Sequence, residues 1–184
     1  MKKNIYLVGF MGTGKSTIGS QLAKETGRRF IDTDREIERR LSMSVSAIFE
    51  KEGEQFFRRE EKKLAFEIAG SSNLIVSTGG GTIMDPEILE RFRATGIMIC
   101  LYAGKSELIA RLRRTNKRPT LRGGNLEDKI TRLLEERNRS FREIPIKINT
   151  TSKTPREVVR KLLDLLKIRD GILDKLQNQD IDIS

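Results

Sequence analysis

The sequence predicts an α/β protein of three layers, in which a parallel sheet of five strands is covered by helices on both faces. Five short apolar segments recur along the 184 residues, and a segment with helical spacing of apolar residues follows each of them. Strands that alternate with helices in this way form parallel sheets that are buried on both faces. The length suits one domain with its own core, and we predict that domain over residues 1–166.

The first predicted strand leads into the most informative stretch of the chain. Ile5-Tyr6-Leu7-Val8 is followed by Gly9-Phe10-Met11-Gly12-Thr13-Gly14-Lys15-Ser16-Thr17, and apolar residues then recur at helical spacing. The pattern G-x-x-x-x-G-K-[ST] between a strand and a helix is typical of a phosphate-binding loop, or P-loop, because its glycines let backbone N–H groups surround phosphate oxygens. Lys15 would reach the β- and γ-phosphates, and the Ser16 hydroxyl would bind Mg²⁺.

Two carboxylates follow the second predicted strand, residues 30–32. Asp32 and Asp34 flank Thr33, and in an extended chain residues i and i+2 point to the same side. Both would then face the crevice beside the P-loop, where one would hold Mg²⁺ through water and the other would accept a hydrogen bond from an attacking hydroxyl. The alternative is that Asp34 only caps the next helix, residues 34–41.

The third predicted strand, residues 74–76, ends in Ser77-Thr78-Gly79-Gly80-Gly81. Three consecutive glycines allow a ligand to approach the backbone closely. Ser77 stands where P-loop proteins usually have a carboxylate, so we expect Ser77 to hold a Mg²⁺-bound water with Asp32 as the acidic partner.

Two arginines on predicted helices are candidates for binding a substrate carboxylate in bidentate fashion. Arg58 lies on the helix at residues 54–69, and Arg137 on the helix at residues 126–141. The alternative for Arg58 is that it simply pairs with Glu61, three residues further along the same helix.

A basic segment follows the fourth predicted strand, residues 97–101, and the helix that begins at Lys105. Seven basic residues and one acidic residue lie between Lys105 and Arg122. We predict a mobile basic lid at about residues 112–125 that closes over the phosphates and supplies an arginine to the transition state. The alternative is a solvated basic surface or an RNA contact. A fifth strand, residues 146–148, and a helix with Pro155 at its first position complete the domain, and residues 167–184 are expected to be partly helical or frayed.

Composition narrows the chemistry further. The chain has no histidine, which excludes histidine acid–base catalysis and histidine metal ligands. Its single cysteine, Cys100, lies in a predicted strand and is expected to be a core thiol. The net charge of +10 permits nucleic-acid binding, but the aromatic content is only 5%, and a positive cleft for a nucleotide and an anionic substrate explains the charge better.

We therefore expect no nucleic-acid partner. No apolar run is long enough to cross a membrane, and the first strand begins too early to leave room for a signal peptide, so we expect a cytoplasmic protein without a membrane partner.

Taken together, these motifs resemble shikimate kinase, a family of nucleoside-monophosphate-kinase-like P-loop enzymes. The resemblance runs from about residue 4 to residue 166 and depends on the order and spacing of the motifs. They are Gly9 to Thr17, Asp32-Thr33-Asp34, Ile48-Phe49, Gly53-Glu54-Gln55-Phe56-Phe57-Arg58, Gly79-Gly80-Gly81, Arg118-Pro119, Arg137, and Thr151 followed by Pro155.

The resemblance implies ATP-dependent phosphorylation of the 3-hydroxyl of shikimate in aromatic amino-acid biosynthesis, with Mg²⁺ as cofactor. It implies that the catalytic residues are Lys15, Asp34 and Arg118. It implies that ATP is bound by Gly12, Thr13, Gly14, Lys15, Ser16, Thr17, Arg111, Arg118 and Lys153. It assigns shikimate to Asp34, Arg58, Gly79, Gly80, Gly81 and Arg137, with Phe49 and Phe57 as pocket walls, and the metal to Ser16 and Asp32.

Two other functions remain open from the sequence. One is a related small-molecule kinase, such as one for gluconate, since gluconate also carries a carboxylate and hydroxyls. The other is a nucleotide-binding or RNA-binding module that keeps the fold without turnover. We expect a monomer that takes shikimate and ATP.

Overall fold

The computed structural model describes residues 3–114, 125–167 and 181–183. Its centre is a sheet of parallel strands in the order β2-β3-β1-β4-β5-β6. The strands are β1 (Asn4–Val8), β2 (Arg29–Asp32), β3 (Leu74–Ser77), β4 (Gly96–Tyr102), β5 (Ile146–Asn149) and β6 (Ile181–Ile183). The parallel α/β architecture that the sequence predicts is confirmed.

The sixth strand differs from the expectation of five strands and a frayed end. Ile181–Ile183 pairs with β5, with Ile181 beside Ile146 and Ile183 beside Ile148. Three residues are too few for a periodic pattern to be read from a sequence. The outer edge of β5 presents backbone N–H and C=O groups that a short segment with Ile-Asp-Ile alternation can pair with.

The helices lie close to their predicted positions. They are α1 (Lys15–Thr26), α2 (Thr33–Leu41), α3 (Val45–Lys51), α4 (Glu54–Ala69), α5 (Pro86–Thr95), α6 (Lys105–Arg113), α7 (Leu126–Arg142) and α8 (Pro155–Lys167). α1 ends at Gly27, whose left-handed φ of 65° suits glycine at a helix C-cap. None of the helices in the described part of the chain is long and apolar enough to cross a membrane.

Two apolar layers enclose the sheet. Ile5 and Leu7 of β1 pack with residues of α1 and α8, whereas Tyr6 and Val8 pack with residues of α2 to α5. Alternate residues of one strand therefore face opposite layers, as the pleat requires. Cys100 belongs to the second layer, where burial raises the pKa of its thiol to about 11, and the prediction of a core thiol is confirmed.

A third apolar cluster joins the P-loop to the helices beside it. Phe10 and Met11 pack against Leu108, Ile109 and Leu112 of α6 and Ile130 of α7. In a parallel sheet the ligand lies beyond the carboxyl ends of the strands, and this cluster supports the loop at that edge.

Candidate active site

The P-loop has the geometry that its glycines predict. Gly9, Gly12 and Gly14 have φ angles of 135°, 84° and 92°, which side chains rarely adopt. A Cβ atom at Gly9 would also overlap the carbonyl oxygen of Leu101. The loop therefore depends on glycine for its path into α1, whose N-terminus points its unpaired N–H groups at the space above.

Lys15 lies at the mouth of this loop. Its Nζ donates to the carbonyl oxygens of Gly9 at 2.8 Å and Phe10 at 2.9 Å, and the residue is 7% exposed. Thr13 is fully buried, and its hydroxyl donates to Phe10 O at 2.8 Å. The Thr13 N–H donates to the same oxygen at 3.4 Å, so both the side chain and the backbone of Thr13 stabilise the loop.

A cavity of about 520 Å³ opens above the P-loop, and we call it the phosphate cavity. Its lining includes six of the predicted ATP-binding residues as well as the two predicted aspartates, and Ser77 lies beside them. The full lining is Gly12, Gly14, Lys15, Ser16, Thr17, Asp32, Asp34, Arg35, Glu38, Val45, Ser77, Thr78, Arg111 and Leu112.

Asp32 and Asp34 both line this cavity, but not for the reason that the sequence suggested. α2 begins at Thr33, so Asp34 lies in a helix. The two aspartates are therefore not positions i and i+2 of one extended segment. Asp32 is the N-cap, and its Oδ1 accepts from the N–H of Arg35 at 3.2 Å. The alternative that Asp34 caps this helix is wrong, and Asp34 lines the cavity from the first turn of α2.

The oxygen atoms near Ser16 suit Mg²⁺. Ser16 Oγ lies 3.4 Å from Ser77 Oγ, and Asp32 lines the same cavity. Among the residues that the structure describes, no group of three acidic or thiol side chains could enclose a metal. Mg²⁺ usually keeps several waters and binds through one or two protein oxygens plus phosphates, and this donor set fits that mode.

The three glycines after β3 lie between the predicted substrate residues. A Cβ atom at Gly79 would lie 2.7 Å from Asp34 Oδ1, and one at Gly80 would lie 3.4 Å from Arg137 Nη1. At Gly81 it would lie 3.1 Å from Arg58 Nη2. Each glycine thus leaves space beside a different polar side chain, and any larger residue would fill it.

Arg58 is held on two sides by carboxylates of its own helix. Its Nη1 donates to Glu61 Oε2 at 2.8 Å, while its Nε and Nη2 donate to Glu54 Oε1 at 3.2 and 2.9 Å. The sequence offered carboxylate binding and pairing with Glu61 as alternatives. The structure shows the pairing, and Arg58 still lines an open cavity of about 560 Å³, the substrate cavity.

Arg137 reaches the same cavity from α7. It is 8% exposed, its Nη1 donates to Gly80 O at 2.8 Å, and its guanidinium carbon lies 5.7 Å from the centre of the Phe10 ring. Burial and the nearby charge of Arg58 lower the pKa of Arg137. A buried and a half-buried cation at one cavity favour an anionic ligand, since such a ligand relieves their mutual repulsion.

Glu61 and Thr33 are site residues whose roles the sequence analysis missed. Glu61 is 2% exposed and accepts from Thr82 Oγ1 at 2.6 Å as well as from Arg58, and burial raises the pKa of its carboxyl. Thr33 Oγ1 accepts from the N–H of Gly79 at 3.0 Å. The sequence signal for Glu61 was its spacing from Arg58, which is equally common on helix surfaces, and Thr33 gave none.

Arg111 links the P-loop to the turn after β5. Its Nη1 donates to Gly12 O at 3.1 Å and its Nη2 donates to Thr150 O at 2.7 Å, while Glu107 accepts from its Nε at 2.8 Å. The predicted adenine residue Lys153 lies in that turn, where its N–H donates to Thr150 O at 3.3 Å. The two residues are brought to the same side of the phosphate cavity.

The remaining predicted residues are placed less directly. The Phe49 and Phe57 rings lie 5.1 Å apart in the core layer, and neither lines the two cavities described above. Their role as substrate walls stays a prediction. Arg118 and most of the predicted lid, residues 115–124, lie outside the described residues.

The phosphate loop, the paired aspartates at its rim and the two arginines across the glycine turn define a P-loop kinase for a small anionic acceptor. Comparison with known proteins identifies the family. A family model described as "Shikimate kinase" matches residues 11–167, and the chain belongs to the shikimate kinase family.

Individual relatives agree with this assignment. The chain is 43% identical over 164 residues to the shikimate kinase of Nitrosococcus oceani, which covers 86% of each chain. It is 39% identical to the shikimate kinase of Pelotomaculum thermopropionicum, with 90% of this chain and 96% of the relative covered. The solved structure of shikimate kinase from Acinetobacter baumannii in complex with shikimate is similar at a TM-score of 0.84 and 37% identity, covering 92% and 96% of the two chains.

Proposed function

We propose that this protein transfers the γ-phosphoryl group of ATP to the 3-hydroxyl of shikimate, giving shikimate 3-phosphate and ADP. The observation that carries the proposal is the Gly79–Gly81 turn, which lies against Asp34, Arg58 and Arg137 and, through Gly80, against the backbone of Met11 in the P-loop. A substrate in this turn would meet a carboxylate and two guanidinium groups next to the bound triphosphate.

The side chains divide the work. Arg58 and Arg137 would bind the substrate carboxylate, which fixes the ring relative to the P-loop. Asp34 would accept a hydrogen bond from the 3-hydroxyl, whose oxygen attacks the γ-phosphorus as the bond to the β–γ bridging oxygen breaks. Asp34 either takes that proton or only orients the hydroxyl, and both are compatible with its position.

The phosphates would be stabilised by the N-terminus of α1 and by the Lys15 ammonium, which is already held at the loop mouth. Ser16 and Asp32 would hold Mg²⁺, and the ion, when bound, neutralises charge on the phosphates. Arg111 would flank adenine together with Lys153, and Arg118 would approach the phosphates from the lid.

We also infer a monomer with no nucleic-acid partner that works in the cytoplasm. The support is compositional: the positive charge is accounted for by two anionic substrates. No described feature favours gluconate or RNA over shikimate, and family membership makes the gluconate-type alternative the weaker one.

The test is a coupled ADP-release assay with ATP and Mg²⁺ over shikimate, gluconate and nucleoside monophosphates. We expect ADP release above background with shikimate only, and the product should be shikimate 3-phosphate by mass spectrometry. Turnover of another acceptor without turnover of shikimate would refute the proposal.

A further inference from the structure

We propose that Glu54 is a substitute ligand for Arg58: its carboxylate occupies the guanidinium while the site is empty and must leave when the substrate carboxylate binds. This makes Glu54 an affinity-determining residue that raises the threshold for every anion at the substrate cavity. The inference rests on the proposed function, because it concerns the carboxylate of the same substrate.

The hydrogen bonds of Arg58 carry the argument. A guanidinium has five N–H donors. Glu54 Oε1 takes the edge formed by Nε and Nη2, at 3.2 and 2.9 Å, and Glu61 Oε2 takes Nη1 at 2.8 Å. Carboxylates therefore take three of the five donors, including the whole edge formed by Nε and Nη2, before any substrate arrives, and a substrate carboxylate that binds this edge in bidentate fashion must displace Glu54.

The solvent exposure of the two side chains decides which carboxylate the substrate displaces. The side chain of Glu54 is 57% exposed, whereas that of Glu61 is 2% exposed. Glu61 also accepts from Thr82 at 2.6 Å, so moving it would leave buried groups unpaired. The Glu54 side chain can rotate into the solvent and lose only an exposed ion pair, which contributes up to about 1 kcal/mol.

The charges that line the substrate cavity also indicate that Glu54 is the carboxylate that leaves. Arg58 and Arg137 face Glu54 and Glu61, so the two cations carry no surplus positive charge while Glu54 is in place. The other two carboxylates of the cavity, Asp85 and Glu136, are paired with Lys62 at 3.1 Å and Arg132 at 2.9 Å. Departure of Glu54 leaves one positive charge for an incoming carboxylate.

This arrangement lowers the affinity of every anion that uses this edge of Arg58 by the same factor. A substrate that also reaches Asp34 and Arg137 has further contacts with which to bind after displacing Glu54, whereas acetate or sulfate must bind with contacts to the arginines alone. The cost to the substrate is the lost ion pair, and 1 kcal/mol corresponds to about a fivefold change in an equilibrium constant.

The experiment compares Glu54→Gln with the control Glu60→Gln. The amide keeps an oxygen to orient Arg58 but removes the charge, while Glu60 lies on the same helix and pairs with Lys63 at 2.6 Å outside the substrate cavity. Isothermal titration should give a shikimate Kd about two- to fivefold lower for Glu54→Gln, with kcat and the KM for ATP unchanged. Acetate and sulfate should become stronger competitive inhibitors against shikimate, and Glu60→Gln should match the wild type throughout.

Two results would overturn the inference while leaving the proposed function intact. If wild type phosphorylates shikimate and Glu54→Gln binds it more weakly, Glu54 only orients Arg58. If its Kd and its anion inhibition are unchanged, the ion pair plays no part in binding. Glu54→Ala guards against an effect of the new amide and should also bind shikimate more tightly. A wild type that does not bind or phosphorylate shikimate would overturn both proposals.

Discussion

The phosphate cavity and the substrate cavity are built by different means. The P-loop is one continuous stretch, Gly9 to Thr17, and it holds its shape through glycine dihedral angles and short contacts such as Thr13 to Phe10. The substrate cavity draws Arg58, Gly81 and Arg137 from segments far apart in the chain and holds them through buried ion pairs and hydrogen bonds. Backbone shape therefore determines the phosphate binding that P-loop proteins share, and side-chain pairing determines which acceptor binds.

Gly80 stands between Thr78 of the phosphate cavity and Gly81 of the substrate cavity, and a Cβ atom on it would meet both Met11 N and Arg137. If the two cavities bind ATP and the acceptor separately, substitutions in the substrate cavity should leave ATP binding unchanged. Changes far from both cavities should leave the kinetics unchanged.

The largest effect is expected for Asp34→Asn. The amide keeps the size of the side chain but accepts the substrate proton poorly, and loss of a proton acceptor costs about 10² to 10⁴ in rate. We expect kcat to fall within that range while the Kd for ATP changes by less than about twofold, as measured by steady-state kinetics and nucleotide titration.

Glu38→Gln is the matched control, because Glu38 lies one turn further along α2 and lines the same cavity. Its turnover should stay within a few-fold of wild type. A comparable loss of ATP binding in Asp34→Asn would contradict the assignment of Asp34 to the acceptor hydroxyl, since Asp34 lines the phosphate cavity and would then serve the nucleotide.

Arg137→Lys should affect the acceptor alone. Lysine keeps the charge but loses the planar fork that contacts Gly80 O and leaves room for a bidentate carboxylate. Hydrogen bonds to charged groups contribute about 1.5–3 kcal/mol, so we expect the KM for shikimate to rise about 10- to 100-fold with the KM for ATP unchanged. Arg139→Lys, an exposed change on the same helix, is the control, and an equal rise in both KM values would contradict the assignment.

Glu61→Gln should affect stability as well as binding. Glu61 accepts from both Arg58 and Thr82, whereas an amide has one acceptor oxygen in place of two and carries no negative charge opposite Arg58. We expect the free energy of unfolding to fall by about 1–3 kcal/mol, with a lower Tm and weaker shikimate binding. The Glu60→Gln change, at a half-buried residue outside the substrate cavity, should leave all three unchanged.

The pH dependence of that loss gives a sharper test. Burial raises the pKa of Glu61 in the folded state above its usual value of 4.5, so its contribution to stability is full below pH 4.5 and is lost as the pH rises through the folded pKa. Glutamine has no such titration. The deficit of Glu61→Gln in urea unfolding should therefore shrink between about pH 4 and pH 8, and a deficit that grows with pH would show that the pairing with Arg58 outweighs burial.

The difference between a continuous loop and a cavity built from distant segments also explains which site residues could be predicted from the sequence. The P-loop was predictable because its residues are consecutive, and Gly27 and Pro155 mark helix ends by their own geometry. Asp34 could be placed in the crevice from its position after β2, although through the wrong local geometry, whereas Arg58 and Arg137 could be brought to one site only through a family resemblance. Glu61 and Thr33 act through tertiary contacts to Thr82 and Gly79, which leave no periodic or compositional trace.

The smallest effect is expected for a chain that ends after Lys167. β6 pairs only with β5 and contributes three residues at the edge of the sheet, where each cross-strand pair contributes about 0.2–1 kcal/mol. The truncated protein should keep kcat and both KM values within about twofold, with a small decrease in Tm.

A chain that ends after Arg160 is the contrast, because it also removes Leu162 and Leu165, which are 0% and 6% exposed in the core layer beside α1. It should fail to fold cooperatively. Loss of turnover in the chain that ends after Lys167 would mean that the catalytic domain extends beyond residue 166. The edge of the sheet would then support the turn at Thr150, which Arg111 connects to the P-loop.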